Sequence, residues 1–275
     1  MGGEERYKCN LSSFALATAV AELNEPEENE KRLAAIDELK VAFRTENPDI
    51  EFKRNDDLFF LRFLRAKKFK IPKALEMITN YHKRYDVWPE VIEKVENDYN
   101  SIKSVMESEV MTVMDGKAKD GSTILVFFTG KNDLPPTDLF SISMVFLEHL
   151  LDDEEVQIFG LTMIQDLTYF GVNMVQFLGP STAMKSMKLM QNCMPVRVKC
   201  MNFVNEPTIF TVINKIFSSF TKEKMKPRVR IHGANYAGLQ DIIDPTILPE
   251  EFSGSGKPLD YVAWKELLFG EETAL

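Results

Sequence analysis

The sequence predicts an α/β C-terminal domain, a mostly parallel sheet covered by helices, preceded by an all-helical N-terminal bundle. Three observations predict it. Between Asn24 and Pro89 apolar residues recur at helical spacing. Near Val110 the pattern changes, and short apolar runs alternate with helical stretches, as parallel strands joined by crossover helices require. The chain has 275 residues, which fits one large or two modest domains. The expected division is a flexible N-terminus over 1–20, a helical domain over 21–95, an α/β domain over 96–268 and a flexible tail over 269–275.

In chain order, Asn24-Glu-Pro-Glu reads as a helix start, with Pro26 in the first turn and acids at the positive dipole end. Leu33, Ile36, Leu39 and Phe43 form its apolar stripe. Asn55-Asp56 caps a second helix with the face Leu58, Leu61, Phe63 and Leu64, and Pro72 opens a third carrying Leu75, Ile78 and Tyr81. Val110 to Met114 and Thr123 to Phe128 read as strands, with Asp115 to Gly121 between them. A helix at about 138–151, a strand at about 158–167 and a helix across 172–192, broken at Gly179-Pro180, follow. Strands Val196 to Val204 and Arg228 to His232 complete the set.

Composition excludes several classes. No run of eighteen apolar residues is present, so no transmembrane helix is expected. Cys9, Cys193 and Cys200 are too few for a disulfide framework, and His82, His149 and His232 are scattered, so no metal site is expected. The start MGGEER lacks a basic region followed by an apolar core, which points to the cytosol. Gly2 has Arg6 where a myristoylation signal wants Ser or Thr. Ser253-Gly-Ser-Gly-Lys-Pro lacks both the first glycine and the hydroxyl of a phosphate loop. The acidic run Asp152 to Glu155 reads as a solvated loop, and His149 as a packed histidine. Nothing assembles a nucleophile, a base and an orienting group, so no catalytic residue and no cofactor are expected.

The formal charge is −9, which taken alone argues against a polyanionic partner. The basic residues are nevertheless clustered. Lys53 to Arg84 holds ten Lys or Arg against three acids, and Lys185 to Arg230 ten against two. These two segments carry +15 and the remainder −24. Arg197 and Lys199 share one face of a strand, as do Arg228 and Arg230, and Lys222, Lys224 and Lys226 lie just before the latter pair. Phosphates of a lipid headgroup or a nucleic acid are the matching anions, but no nucleic-acid motif is present.

The segment Glu206 to Phe220 has a broad apolar face of Ile209, Phe210, Ile213, Ile216, Phe217 and Phe220. Its polar face is Thr211, Asn214, Lys215, Ser218 and Ser219. A greasy helix beside a lysine cluster suits a membrane surface, a closed apolar cavity or a plain core. Methionines, which adapt to irregular space, concentrate in the same half of the chain.

FLRFLRAKKF (60–69), MIQDLTYFG (163–171), NFVNEPTIF (202–210), KEKMKPRVRIHG (222–233) and ILPEEFSG (247–254) occur in order. In these motifs the chain resembles the CRAL-TRIO (Sec14-like) lipid-transfer family over about 28–268. The nearest likeness is to the branch that includes the α-tocopherol transfer protein, the cellular retinaldehyde-binding protein and the clavesins. The resemblance implies a monomeric, non-enzymatic carrier. One hydrophobic small molecule of the tocopherol, retinoid or carotenoid class would sit in an apolar pocket of the C-terminal lipid-binding domain, under a mobile lid helix at about Pro207 to Met225. It implies pocket positions Phe140, Ser143 and Leu147; Leu161, Met163 and Gln165; Leu189, Met190, Val198 and Met201; and Phe210, Ile213 and Phe217 from the lid. It also implies a phosphoinositide-binding cleft at Arg65, Arg197, Lys199, Lys224 and Arg228, used for transient docking on membranes. A phosphatidylinositol or phospholipid exchanger of the Sec14 type is the alternative. Strict alternation along a strand places Val198 and Met201 on opposite faces, in conflict with both lining one pocket.

Overall fold

The computed structural model describes residues 6–51 and 54–270. Helix α1 spans Ser13–Leu23, its first turn capped by the Ser12 hydroxyl, which accepts from the Ala15 amide at 3.1 Å. This corrects the flexible N-terminus expected over 1–20. Ala15, Ala19 and Leu23 form a buried stripe against Ile158 and Phe159, and a stripe so short in side chain gives little hydrophobic signal in sequence. Residues 1–5, including Gly2, lie outside the described residues. Asn24 does not start the next helix. It closes α1 in the left-handed conformation, φ 56°, and α2 begins later, spanning Asn29–Glu46.

Helices α3 (Asp57–Ala66) and α4 (Ile71–His82) follow the expected pattern. The Asp56 carboxylate accepts from the Phe59 amide at 2.8 Å, and Pro72 stands in the first turn of α4. Helices α5 (Pro89–Asn97) and α6 (Tyr99–Met106) lead to β1 (Met111–Lys117) and β2 (Thr123–Phe128). Next come α7 (Pro136–Leu150), α8 (Glu154–Phe159) and β3 (Leu161–Asp166). The strand expected from 158 thus starts three residues later, because Asp153 caps α8 by accepting from the Glu155 amide at 2.8 Å. Nor is the acidic run merely a solvated loop. Asp152 pairs with Arg54 at 2.7 Å and Glu154 with Arg65 at 2.9 Å.

After α9 (Val172–Val175), Gly179 separates α10 (Pro180–Lys188), which runs into a π-helical turn over Leu189–Cys193. Then come β4 (Val198–Val204), α11 (Phe210–Phe220), a 3-10 turn over Glu223–Arg228, and β5 (Val229–Ile231). Helices α12 (Ala237–Gln240) and α13 (Val262–Phe269) end the described chain. Phe269 is buried at the end of α13, which corrects the start of the flexible tail expected at 269, and 271–275 lie outside the described residues. The five strands are ordered β1-β2-β3-β4-β5, with β1 antiparallel to β2 and the rest parallel.

One apolar core joins the two halves. Ile36, Phe43 and Phe63 of the helical part belong to the same buried cluster as Phe146, Leu161 and Leu189 of the α/β part. Beside this core lies a buried ionic group. Glu25, wholly enclosed, accepts from Arg32 Nε at 2.6 Å and from Arg65 Nε and Nη2 at 2.7 and 2.9 Å. Arg65 Nη1 donates to Gln157 Oε1 at 2.9 Å and Nη2 to Glu154 at 2.9 Å. Burial alone would lower the Arg65 pKa, but the hydrogen bond and attraction of Glu25, reinforced by Glu154, outweigh it and hold the guanidinium firmly charged.

Glu25→Ala leaves two buried guanidinium groups without their shared carboxylate. The expected loss is about 3–5 kcal/mol of unfolding free energy, the cost of breaking a buried pair from one side. Urea denaturation at neutral pH measures it, and a loss below about 1 kcal/mol, the size of a surface pair, would refute the enclosed geometry.

Candidate functional site

A cavity of about 660 Å³ opens between the sheet, α7, α10 and α11. Its floor is the sheet face carrying Phe127, Met163, Gln165, Val198, Met201 and Phe203. Helix α7 supplies Leu139, Phe140, Ser143 and Leu147, which recur at helical spacing and so share one face. Helix α11 lies across the opposite side with Phe210, Ile213 and Phe217, and Met190 closes the back. Phe210 is seated against Phe203 with ring centroids 4.8 Å apart and against Phe170 at 6.2 Å.

The conflict over Val198 and Met201 is resolved by the β3–β4 register. Leu161 pairs with Val198, but Thr162 pairs with Cys200, so Lys199 is an extra residue in β4. This bulge re-phases the strand, and both Val198 and Met201 border the cavity. Ser143 and Gln165 are polar side chains in the apolar wall. The Ser143 hydroxyl donates to the Leu139 carbonyl at 2.6 Å and is satisfied within its helix. Gln165 Oε1 accepts from the Thr129 hydroxyl at 2.9 Å, while its amide nitrogen has no acceptor among the described residues.

Eleven of the thirteen expected pocket residues line this space: Phe140, Ser143, Leu147, Met163, Gln165, Met190, Val198, Met201, Phe210, Ile213 and Phe217. Leu161 and Leu189 do not. Both are fully buried in the core joining the two halves, where they pack rather than border a void. Phe127, Leu139 and Phe203 were not anticipated. Two had a signal: Phe203 stands two residues after Met201 on a strand, and Leu139 four before Ser143 on a helix; Phe127 is placed there by the β2–β3 register, which pairs it with Gln165. On α11 the expected polar face is only partly polar in function, since Asn214 and Ser218 also border the cavity.

One side of the mouth is cationic. Arg197, Lys199, Lys224 and Arg228 all reach it. Arg65 does not, and its expected place in the cleft is corrected: its guanidinium is consumed by Glu25, Glu154 and Gln157 in the interior. The lysines that follow it, Lys67 and Lys68 in the α3–α4 turn, reach the mouth in its stead, as does Lys222. Arg197 also donates to the Ile158 carbonyl, and Arg228 to the Val198 carbonyl. Both Arg197 and Lys199 pair with Glu22 of α1, at 3.1 and 3.2 Å. Lys67, Lys68 and Lys224 have no acidic partner within ion-pair distance among the described residues. Burial, followed by the repulsion of Lys222 and Lys224, lowers the Lys67 pKa to about 8. Lys224 is likewise lowered, by burial and by Lys222 and Arg228.

Among the described residues that line the cavity there is no histidine or cysteine, and Glu22 is the only acid. His149, the one histidine on α7, packs edge-on to Trp264 with centroids 5.9 Å apart. No group of three His, Cys, Asp or Glu that could hold a metal occurs among the described residues. No helix among them is long and apolar enough to cross a membrane.

The chain matches known proteins over nearly all its length. The CRAL/TRIO domain covers residues 107–254 and the CRAL/TRIO N-terminal domain residues 35–80. The chain is 31% identical over 269 residues to the human (Homo sapiens) alpha-tocopherol transfer protein-like protein, covering 97% of this chain and 77% of that one. It is 31% identical over 228 residues to clavesin-1 of Xenopus laevis, covering 82% and 69%. The crystal structure of Sfh5 superposes with a TM-score of 0.50 at 11% identity, over 94% of this chain and 99% of that one, a likeness of fold. With its helical N-terminal module, mostly parallel sheet and apolar cavity, the chain belongs to the CRAL/TRIO family of lipid-binding and lipid-transfer proteins.

Proposed function

We propose that the protein carries one hydrophobic small molecule in this cavity and delivers it to membranes, docking through the cationic mouth on phosphoinositide headgroups. The single observation that carries the reading is the joining of two chemistries in one space. An apolar cavity of about 660 Å³ shares its lining with Lys67, Lys68, Lys224 and Arg228. A tocopherol-, retinoid- or carotenoid-class ligand suits the apolar walls, and the unpaired amide nitrogen of Gln165 suits one hydroxyl or carbonyl on it. The name of the alpha-tocopherol transfer protein-like relative agrees with that class.

A ligand burying about 500 Å² of apolar surface gains roughly 12 kcal/mol by transfer from water, before ordering costs reduce it. Release into water is therefore slow. A membrane supplies an apolar medium for the ligand and for the face of α11, which acts as the lid. Val212 and Phe220 on α11 are already exposed, at 53% and 38%. Headgroups bound at the mouth neutralise the lysines beside the end of α11 and favour the open state.

Protein purified in its native state is expected to hold one apolar small molecule, read by native mass spectrometry and organic extraction. A phospholipid as sole occupant would instead establish the exchanger alternative. The mouth also gives a pH dependence. An anion stabilises the ammonium form of Lys67, so binding takes up protons near pH 8 and weakens as pH rises. Vesicle binding is expected to fall by up to about fivefold, the worth of one cation, between about pH 7 and about pH 9. Lys67→Arg is expected to flatten that profile in a flotation assay, and superimposable profiles for the two proteins would count against Lys67.

A further inference from the structure

Among the residues that border the cavity mouth, Glu22 has the wrong charge for a surface that receives anions. Its place is fixed by the fold. Leu23, the next residue, is buried, and with Ala15 and Ala19 it anchors α1 on Ile158 and Phe159. Glu22 is thereby presented to β4 and its approach. Arg197 Nη2 and Lys199 Nζ both converge on a single carboxylate oxygen, Oε2, at 3.1 and 3.2 Å. Two cations on one oxygen is the arrangement that a headgroup phosphate oxygen would take there. Burial opposes the charged form of Glu22, but the hydrogen bonds from Lys199 and Arg197 win and lower its pKa. The side chain is 45% exposed, against 14% for Arg197 and 23% for Lys199. The carboxylate thus lies on the solvent side of the pair, and its displacement removes a tie between the last turn of α1 and the Arg197–Lys199 segment.

We infer that Glu22 is an internal stand-in for a headgroup phosphate and acts as a specificity-determining residue of the docking face. The inference rests on the proposed docking function and deepens it. A headgroup with one negative charge offers Arg197 and Lys199 no more than Glu22 already gives them. A headgroup with several phosphates displaces Glu22 and at the same time reaches Lys67 and Lys224, which have no acidic partner within ion-pair distance among the described residues. Glu22 therefore sets a threshold of headgroup charge, rejecting the singly charged lipids that are common and admitting multiply phosphorylated ones. It also accounts for an acid in a mouth whose other charged side chains are cationic.

The test is flotation of the full chain with two vesicles of equal total anionic charge in phosphatidylcholine. One carries phosphatidylserine and the other a bisphosphorylated phosphoinositide. The wild-type protein is expected to prefer the second. Glu22→Gln is expected to raise binding to phosphatidylserine vesicles about fivefold and to phosphoinositide vesicles less, so that the preference narrows. An unchanged ratio between the two vesicles in Glu22→Gln overturns the role of Glu22 while leaving the docking face intact. Failure of both proteins to float with either vesicle overturns the docking function and this inference together. A readout on unaltered protein guards against a folding defect in the variant. Phosphoinositide vesicles, but not phosphatidylserine vesicles, are expected to raise amide hydrogen exchange in the last turn of α1. Equal exchange under both conditions overturns the displacement of Glu22.

Discussion

The enclosure of Glu25 between Arg32 and Arg65 is the constraint from which the rest of the molecule takes its position. A carboxylate and two guanidinium groups cannot be left in an apolar interior unless each finds its partner with good geometry. Satisfying them ties four pieces of chain together: the α1–α2 junction, α2, α3 and the start of α8. The helical part is thereby locked to the α/β part at one place, and the shared apolar core continues the contact. Such a group need not add net stability over a hydrophobic substitute. What it supplies is a single allowed arrangement, because every alternative packing strands a charge.

That arrangement positions both ends of the cavity mouth. Arg65 is held inward, so the turn just after it carries Lys67 and Lys68 to the rim. The αL residue Asn24 donates to the Lys68 carbonyl at 3.3 Å, linking the end of α1 to the same turn. Two residues earlier, Glu22 meets Arg197 and Lys199. The mouth is thus assembled from α1, the α3–α4 turn, β4 and the segment after α11. Burial first, and then the mutual repulsion of the cations it brings together, makes Lys67 and Lys224 hold their protons less tightly than free lysines. An arriving anion relieves that repulsion. The remainder of the chain, which carries −24 against the +15 of the two basic segments, acts in the opposite sense and disfavours adhesion to anionic membranes elsewhere.

The apolar walls follow a different logic. Each is one face of one element: alternate residues of β3, every third or fourth residue of α7, and the amphipathic stripe of α11. Such faces are legible from periodicity, as α2, α3, α4, α7, α11 and the five strands were, while the break at Gly179-Pro180 was legible from its proline and α1, α5, α6, α8, α12 and α13 were not anticipated. Where the reading of the sequence departed from the structure, a local exception had intervened. The bulge at Lys199 shifted the phase of β4 and brought Val198 and Met201 to one cavity. The alanine stripe of α1 was too slight to signal burial. Asp153 turned an apolar stretch that reads as strand into the cap of a short helix.

By itself the sequence determined the order of the strands and of the strongly periodic helices, the apolar faces and the clustering of positive charge, because each is a local property of spacing or composition. Only the tertiary structure decided what each charge does. Arg65 and Lys67 are two residues apart in one basic run, yet the first is sealed among carboxylates and the second stands at an open mouth. Glu22 and Glu25 are three apart, yet one faces the cations of β4 and the other lies wholly inside. The fate of a charge depends on which partners and how much water surround it, and both are set by segments distant in the chain, 40 residues apart for Glu25 and Arg65 and 175 for Glu22 and Arg197.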